Sequence, residues 1–316
     1  MIHHRHMSLL TLALALLLGG VLPLAHISSS NAQDGPLTVV ATTGMVGDLV
    51  RNVGGSHVEV TDLMGPGVDP HLYKARESDV MRLAEADVIF YSGLHLEAQL
   101  GDVFEQMGDQ VTTIAITRDL PRELLIPLGE DTAGYDPHVW FDVELWAMTI
   151  DTVRDALIEI DPDNADDYTA NAAAYATELG ELDTYVQEQA ASIPVEHRVL
   201  ITAHDAFGYF AQAYGFEVHG VQGVSTVTEA STADIQDLAD FITERQIPAI
   251  FVESSVSPRT IQALQEAVES RGHEVAIGGS LFSDAMGDSG TTEGTYVGMV
   301  RYNIDTIAGA LKGESA

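Results

Sequence analysis

Residues 161–194 read DPDNADDYTANAAAYATELGELDTYVQEQAASIP, a long helical pattern bounded by Pro162 and Pro194. Its apolar residues recur at steps of three and four, which is the spacing of one helix face. They are Ala165, Tyr168, Ala172, Tyr175, Leu179, Leu182, Val186, Ala190 and Ile193. A helix of this extent would be roughly 45–50 Å long at 1.5 Å per residue. We predict one stiff helix over 161–194; a helical hairpin broken near Gly180 is the alternative.

On both sides of this segment, short apolar strands alternate with amphipathic helices. The predicted strands are Leu37–Thr42, Val58–Met64, Val88–Ser92 and Val111–Ile116 before it, and Arg198–Thr202, Phe216–Val221, Ala249–Glu253 and Glu274–Gly278 after it. Helix-like segments include Glu77–Ala86 and Leu96–Met107. Such alternation is typical of βα units around a parallel sheet. We therefore predict an α/β fold of two βα lobes, 33–160 and 195–316, each with a mainly parallel four-stranded sheet and joined by the long rigid helix.

The charge of the chain limits its partners. The 316 residues include 48 acidic and 14 basic side chains, which gives a formal net charge of −34. Binding to nucleic acid requires clustered Lys and Arg, so we expect no nucleic-acid partner. The chain has no cysteine. Any metal site must therefore be built from histidine and carboxylate, and lipid attachment through a cysteine is not expected.

The first 32 residues have the pattern of a targeting segment. A short polar start is followed by an apolar run from Leu9 to Ala25, and small residues lead to Ser30-Asn31-Ala32. This order is typical of a secretory signal peptide with a small-x-Ala cleavage site. We predict that residues 1–32 are a signal peptide and that the protein is secreted to the periplasm or another extracytoplasmic space; an uncleaved anchor is the alternative.

An Asp-Pro-His motif occurs twice, at residues 69–71 and 136–138, and an aromatic residue follows each histidine at the second position. Proline restricts its own φ and the conformation of its predecessor, so His71 and His138 each project from a stiff loop. The aspartate of each motif is placed to accept a hydrogen bond from the histidine, as carboxylates do beside metal-binding imidazoles. The repeated motif favours a metal site, although so short a motif also recurs by chance.

Two further candidate residues lie near ends of predicted strands in the second lobe. His204 follows the strand that begins at Arg198, and Asp284 follows the strand Glu274–Gly278. Ligand sites of open α/β sheets lie at the carboxyl ends of the strands. By itself, however, His204 is equally consistent with an ordinary strand end, and Asp284 with a loop aspartate. We expect surface or supporting roles for the remaining histidines, namely His57, His95, His197, His219 and His273.

Several longer motifs resemble one family. The stretches DPHLY at 69–73, DPHVWFD at 136–142, HDAFGYF at 204–210, GVQGVST at 220–226 and GGSLFSDAMGD at 278–288 are similar to those of metal-specific solute-binding proteins of ABC importers, of the TroA-like, cluster A-I type. The resemblance covers essentially the whole chain after the signal segment. It implies a non-enzymatic carrier, expected to be a monomer, that delivers a transition metal ion to an ABC permease.

The resemblance also implies the ligands: His71 and His138 from the first lobe, and His204 and Asp284 from the second. Three imidazoles and one carboxylate suit Zn²⁺, and also Mn²⁺ when the aspartate binds through both oxygens. Manganese-preferring members often have glutamate where this chain has His204. Zinc-dedicated members often carry a histidine-rich loop, whereas residues 121–136 contain no histidine. We rank zinc first and manganese second, as transported ligand rather than catalytic cofactor.

Two other functions are the alternatives. A secreted metallohydrolase would need an open metal position and a general base, for which Asp136 and Glu229 are the candidates. An adhesin-like structural protein would keep its function after replacement of His71 and His138. We therefore expect a metal carrier, and metal analysis combined with a hydrolysis screen would separate it from the hydrolase.

Overall fold

The structure is a computed structural model that describes residues 35–108, 110–129 and 133–312. The predicted signal segment 1–32 lies outside the described residues. Among the helices of the described ranges, none combines the length and the hydrophobicity that crossing a bilayer requires.

The first lobe is a parallel sheet with helices between its strands, as the alternating pattern predicts. Its elements are β1 (Leu37–Ala41), α1 (Gly44–Gly54), β2 (Val58–Asp62), α2 (Glu77–Ala84), β3 (Val88–Tyr91), α3 (Gly101–Met107) and β4 (Thr112–Ala115). The four strands are hydrogen-bonded in the order β2-β1-β3-β4, and all pairs are parallel. The predicted four-stranded sheet of this lobe is confirmed.

Two consecutive helices connect the lobes. These are α4 (Val143–Ile160) and α5 (Ala165–Ala191). Helix α5 runs without a break through Gly180, so the single-helix prediction is confirmed and the hairpin alternative is wrong. It begins after a 3₁₀ turn over Pro162–Asn164, and its 27 residues make it about 40 Å long, shorter than predicted.

Helix α5 buries the predicted apolar stripe against both lobes. Tyr168, Leu179 and Val186 are fully buried in it. They belong to the largest hydrophobic core, which also contains Leu49 of the first lobe and Ile304 of the second. Because one core includes both lobes and the helix, α5 holds the lobes to each other along its length.

The second lobe repeats the βα alternation. Its elements are β5 (Val199–His204), α6 (Gly208–Tyr214), β6 (Glu217–Gln222), α7 (Thr232–Arg245), β7 (Ala249–Glu253), α8 (Arg259–Glu269), β8 (Ala276–Leu281) and α9 (Tyr296–Leu311). Strands β5 and β6 form one parallel pair, and β7 and β8 form another.

The pairing in the second lobe differs from the predicted four-stranded sheet. Strands β5 and β7 pack side by side, but the ladder hydrogen bonds divide the strands into two two-stranded sheets. At the ends of these two strands, the His204 amide donates to the side chain of Glu253. Where they reach the candidate site, β5 and β7 are thus joined through a side chain.

The predicted helix Leu96–Met107 is shorter in the structure. Leu94 and His95 have φ values of 52° and 67°, in the left-handed region, so the chain turns before it becomes helical. A 3₁₀ turn over Ala98–Leu100 follows, and α3 begins only at Gly101. The apolar spacing predicts the helix, but it carries no signal for the turn that delays its start.

Candidate metal centre

The structure brings the four sequence-predicted residues together. His71 lies in the loop between β2 and α2, and His138 lies in the loop before α4, at the start of a 3₁₀ turn over Val139–Phe141. His204 is the last residue of β5, and Asp284 follows β8. Their exposed fractions are 4%, 0%, 0% and 1%. Two loops of the first lobe and two strand ends of the second therefore meet at one buried point.

The side chains converge through equivalent atoms. His138 Nε2 lies 3.3 Å from His71 Nε2 and 3.4 Å from His204 Nε2. The carboxylate of Asp284 faces the same nitrogens: Oδ1 is 3.4 Å from His138 Nε2, and Oδ2 is 3.3 Å from His204 Nε2 and 3.8 Å from His71 Nε2. One donor atom from each residue lies within 4.8 Å of the others.

These separations fit a four-coordinate cation. Ligands about 2.0–2.1 Å from a tetrahedral Zn²⁺ are separated from one another by about 3.3 Å. The Nε2–Nε2 separations of 3.3 and 3.4 Å match this distance between tetrahedral ligands. Both carboxylate oxygens of Asp284 are buried and accept no hydrogen bond from the described residues. A buried carboxylate normally has hydrogen-bond partners or a cation, so the donor set fits a metal ion at its centre.

The carboxylates in and around the site control its protonation. Burial lowers the pKa of His71 to about 4. Burial also acts to lower the pKa of His138, but the charge and hydrogen bond of Asp136, together with the neighbouring Asp284, outweigh it and raise that pKa to about 9. For His204, Asp284 and Glu253 likewise outweigh burial and raise the pKa well above its usual value. In the metal-free protein, the raised pKa values therefore favour protonated His138 and His204 at neutral pH.

The pKa of the carboxylate in the cluster shifts in the opposite direction. Burial alone would raise the pKa of Asp284, but the neighbouring His204 and His138 outweigh it and hold this pKa well below its usual range. Asp284 is therefore ionised throughout the physiological pH range. It supplies a fixed negative charge at the point where the imidazoles converge.

The two Asp-Pro-His motifs share one local geometry. Asp69 Oδ1 accepts the backbone N–H of His71 at 2.8 Å, and Asp136 Oδ1 accepts that of His138 at 2.9 Å. Asp136 Oδ1 also lies 2.7 Å from His138 Nδ1, which leaves Nε2 of this ring to face the site. The predicted hydrogen bond to the imidazole is thus present in the second motif, and in both motifs the aspartate fixes the backbone of the histidine.

The aromatic residues of the two motifs have different roles. Trp140 is buried, and its Nε1 donates to the carbonyl of Ser283 at 3.0 Å, across to the residue that precedes Asp284. Tyr73 instead donates to Asp79 at 2.7 Å, at the start of α2. Of these two aromatic residues, Trp140 therefore joins loops of the two lobes at the site, whereas Tyr73 bonds within the first lobe.

Sequence reasoning missed Glu253. This buried residue ends β7, and its Oε2 lies 2.6 Å from His204 Nδ1 while its Oε1 accepts the His204 amide at 2.9 Å. The sequence did offer one signal for Glu253, which is an acidic residue at the end of the apolar strand AIFVE. Glu253 orients His204 in the way that Asp136 orients His138.

The remaining histidines of the described chain lie outside the cluster. His57 pairs with Asp167 and His219 with Glu217, both near the surface. His197 and His273 contact backbone carbonyls. His95 is exposed. The surface and supporting roles predicted for them agree with these positions.

Comparison with known proteins gives the family. Residues 39–310 match the ZnuA family, described as zinc-uptake complex component A, periplasmic. The zinc-binding protein TroA of Treponema pallidum is 50% identical over 301 residues, which are 95% of this chain and 97% of that protein. The manganese-binding lipoprotein MntA of Bacillus subtilis is 49% identical over 285 residues, or 90% and 93% of the two chains.

A solved structure agrees with these sequence matches. The periplasmic zinc-binding protein TroA from Treponema pallidum superposes with a TM-score of 0.85 and 52% identity, covering 88% of this chain and 99% of that one. The fold, the four converging residues and the matched sequence lead to the same assignment. This chain belongs to the ZnuA family of periplasmic zinc-uptake components.

Proposed function

We propose that this protein captures a divalent transition metal outside the cytoplasm and delivers it to an ABC permease, with His71, His138, His204 and Asp284 as the ligands. The observation that carries the proposal is the convergence of three Nε2 atoms and a carboxylate in one buried cleft, where the carboxylate has no hydrogen-bond partner among the described residues. Relatives named as zinc- and manganese-binding proteins support it.

Zinc ranks first and manganese second for this chain. Three imidazoles favour zinc, and the general affinity order places Zn²⁺ above Mn²⁺ for the same ligands. Both oxygens of Asp284 face the imidazoles, at 3.4 Å from His138 and 3.3 Å from His204. The carboxylate is therefore placed to bind an ion through one oxygen or through both. Binding through both oxygens raises the coordination number of the ion, which suits Mn²⁺.

The surroundings of the site support binding without catalysis. A catalytic zinc needs an open position for water and a general base close by. Asp136, one sequence candidate for the base, already forms hydrogen bonds with the backbone and ring of His138. Glu229, the other candidate, lies exposed in the loop between β6 and α7. We therefore favour a carrier over the metallohydrolase, and no observation favours an adhesin.

The cellular setting belongs to the same proposal. Residues 1–32 are proposed as a signal peptide, residues 33–160 and 195–316 as the lobes, 161–194 as the linking helix, and the carrier as a monomer without a nucleic-acid partner. MntA of Bacillus subtilis is named a lipoprotein. Because the present chain has no cysteine, we propose that it is held outside the cytoplasm without a thiol-linked lipid.

Metal content and competition titration test the proposal. Protein purified without added metal is analysed for zinc and manganese, then titrated with each ion against a chelator. The expected result is one ion per chain in the wild type, loss of binding in His71→Ala and His138→Ala, and retention in the control His219→Ala. Hydrolysis of ester or phosphate substrates by the loaded protein, or full binding by both site variants, would contradict the carrier assignment.

A further inference from the structure

A hydrogen bond between the lobes ends on the residue that holds His71 in place. The hydroxyl of Thr226, in the loop between β6 and α7, donates to Asp69 Oδ2 at 2.6 Å. The other oxygen of the same carboxylate accepts the His71 backbone N–H at 2.8 Å. Asp69 therefore connects a loop of the second lobe to a proposed ligand of the first.

The burial of Thr226 singles it out within its loop. Residues 223–230 are all described, and Thr226 alone among them is buried, with 7% of its surface exposed. Burying a hydroxyl away from water costs free energy unless the hydroxyl forms a hydrogen bond. A charged acceptor makes that bond stronger. The contact with Asp69 satisfies this requirement. The Thr226 side chain thus anchors the loop on the opposite lobe.

The two Asp-Pro-His motifs differ at this point. Asp136 directs one oxygen to both the backbone and the ring of its own histidine, at 2.9 and 2.7 Å. Asp69 uses one oxygen for the backbone of His71 and gives the second to Thr226. The second motif thus positions its histidine within one lobe. The first motif connects its histidine to a loop of the other lobe.

The anchored loop also forms a wall beside the site. Val224, Ser225 and Val227 line a cavity of about 410 Å³ together with His71. At 4%, His71 has the largest exposed fraction of the four site residues. Movement of this loop away from the first lobe would open the side of the site on which His71 lies.

We propose that Thr226 is a positioning residue of the metal site, a latch that acts through Asp69 on His71 and slows release of the ion. The inference rests on the proposed metal-binding function. With the latch closed, the loop covers the cavity and Asp69 holds the His71 backbone. When the hydroxyl is lost, the loop separates from the first lobe and the ion exchanges faster.

The test is the rate at which zinc-loaded protein loses its ion to excess chelator. Thr226→Val removes the hydroxyl at nearly constant volume and is expected to raise this rate about tenfold, which corresponds to about 1.4 kcal/mol. Thr226→Ser keeps the hydroxyl and should restore a rate near that of the wild type. The matched control is Thr228→Val, the same change at an exposed position of the same loop.

A double-variant cycle separates a latch from a merely structural threonine. In an Asp69→Ala background the acceptor is gone, so Thr226→Val should add no further acceleration. An unchanged release rate in Thr226→Val, a Thr226→Ser protein as fast as Thr226→Val, or full additivity with Asp69→Ala would overturn the latch. A wild-type protein that binds no metal would overturn the proposed function as well, which distinguishes the two failures.

Discussion

Glu253 Oε2 lies 2.6 Å from Nδ1 of His204, and both side chains are fully buried. The other oxygen of Glu253 accepts the backbone amide of His204. The carboxylate therefore fixes Nδ1 as the protonated ring nitrogen and leaves the lone pair of Nε2 for the metal ion. Glu253 does not face the proposed metal position itself, but it determines the direction of His204 Nε2.

Glu253→Gln should weaken zinc binding by about 10–100-fold, the usual effect of losing a group that orients a metal-binding histidine. The His204 amide and ring bond to different oxygens of Glu253, and glutamine keeps only one acceptor oxygen. The competition titration gives the affinity, and Glu217→Gln is the matched control because Glu217 pairs with His219 at 3.0 Å outside the site. Equal losses in both variants would show that orientation of His204 is not the cause.

Zinc binding should release at least one proton at neutral pH. In the metal-free protein the pKa of His138 is raised to about 9, and that of His204 is raised well above its usual value, whereas burial lowers the pKa of His71 to about 4. Only neutral imidazole binds metal, so protons compete with the ion through His138 and His204. Affinity should therefore increase as pH rises from 7 to 9 and decrease toward pH 5.

Calorimetry at one pH in buffers of different ionisation enthalpy measures the number of protons released. An unperturbed histidine site titrates near pH 6.5 and would release little above pH 8. Proton release that persists at pH 8 supports the carboxylate-raised pKa of His138. Binding without proton release at pH 7 and pH 8 would show that these imidazoles are already neutral or do not bind the ion.

Gly180→Ala should stabilise the protein by about 0.5–1 kcal/mol, because glycine inside a helix is less favourable than alanine. Gly180 is an exposed residue in the middle of α5, and an added Cβ would meet no atom within 4 Å. Gly180→Pro is the opposing variant and should cost about 3 kcal/mol or more by breaking the helix. Urea unfolding measures both. A destabilising alanine would contradict a continuous helix at this position.

Asp284→Ala should weaken metal binding by at least about tenfold, or 1.4 kcal/mol. Asp284 is the anionic member of the proposed ligand set, and its oxygens accept no hydrogen bond from the described residues. The loss should be larger for Mn²⁺ than for Zn²⁺, because the harder ion depends more on oxygen ligands while three imidazoles retain zinc. Titration with both ions gives the two losses, and Asp288→Ala, at an exposed nearby position, is the control.

The sequence predicts the features that local patterns encode. The apolar stripe of residues 165–193 predicts α5 as one helix, and the family motifs lead to the four residues that converge in the structure. The hydrogen bond between Asp136 and His138 was predicted, but the partners that reach these motifs from distant parts of the chain were not. Glu253 reaches His204 over 49 residues, and Thr226 reaches Asp69 over 157. Neither short-range spacing nor propensity encodes a hydrogen bond across such separations, which follows only from the packing of the lobes.

The central claim is that His71, His138, His204 and Asp284 together hold the transported ion. X-ray absorption of the zinc-loaded wild-type protein tests it most directly, since it reports the atoms bound to the metal. We expect three imidazole nitrogens and one or two carboxylate oxygens at about 2.0–2.2 Å from the zinc ion. A shell of six oxygens without imidazole scattering would contradict it.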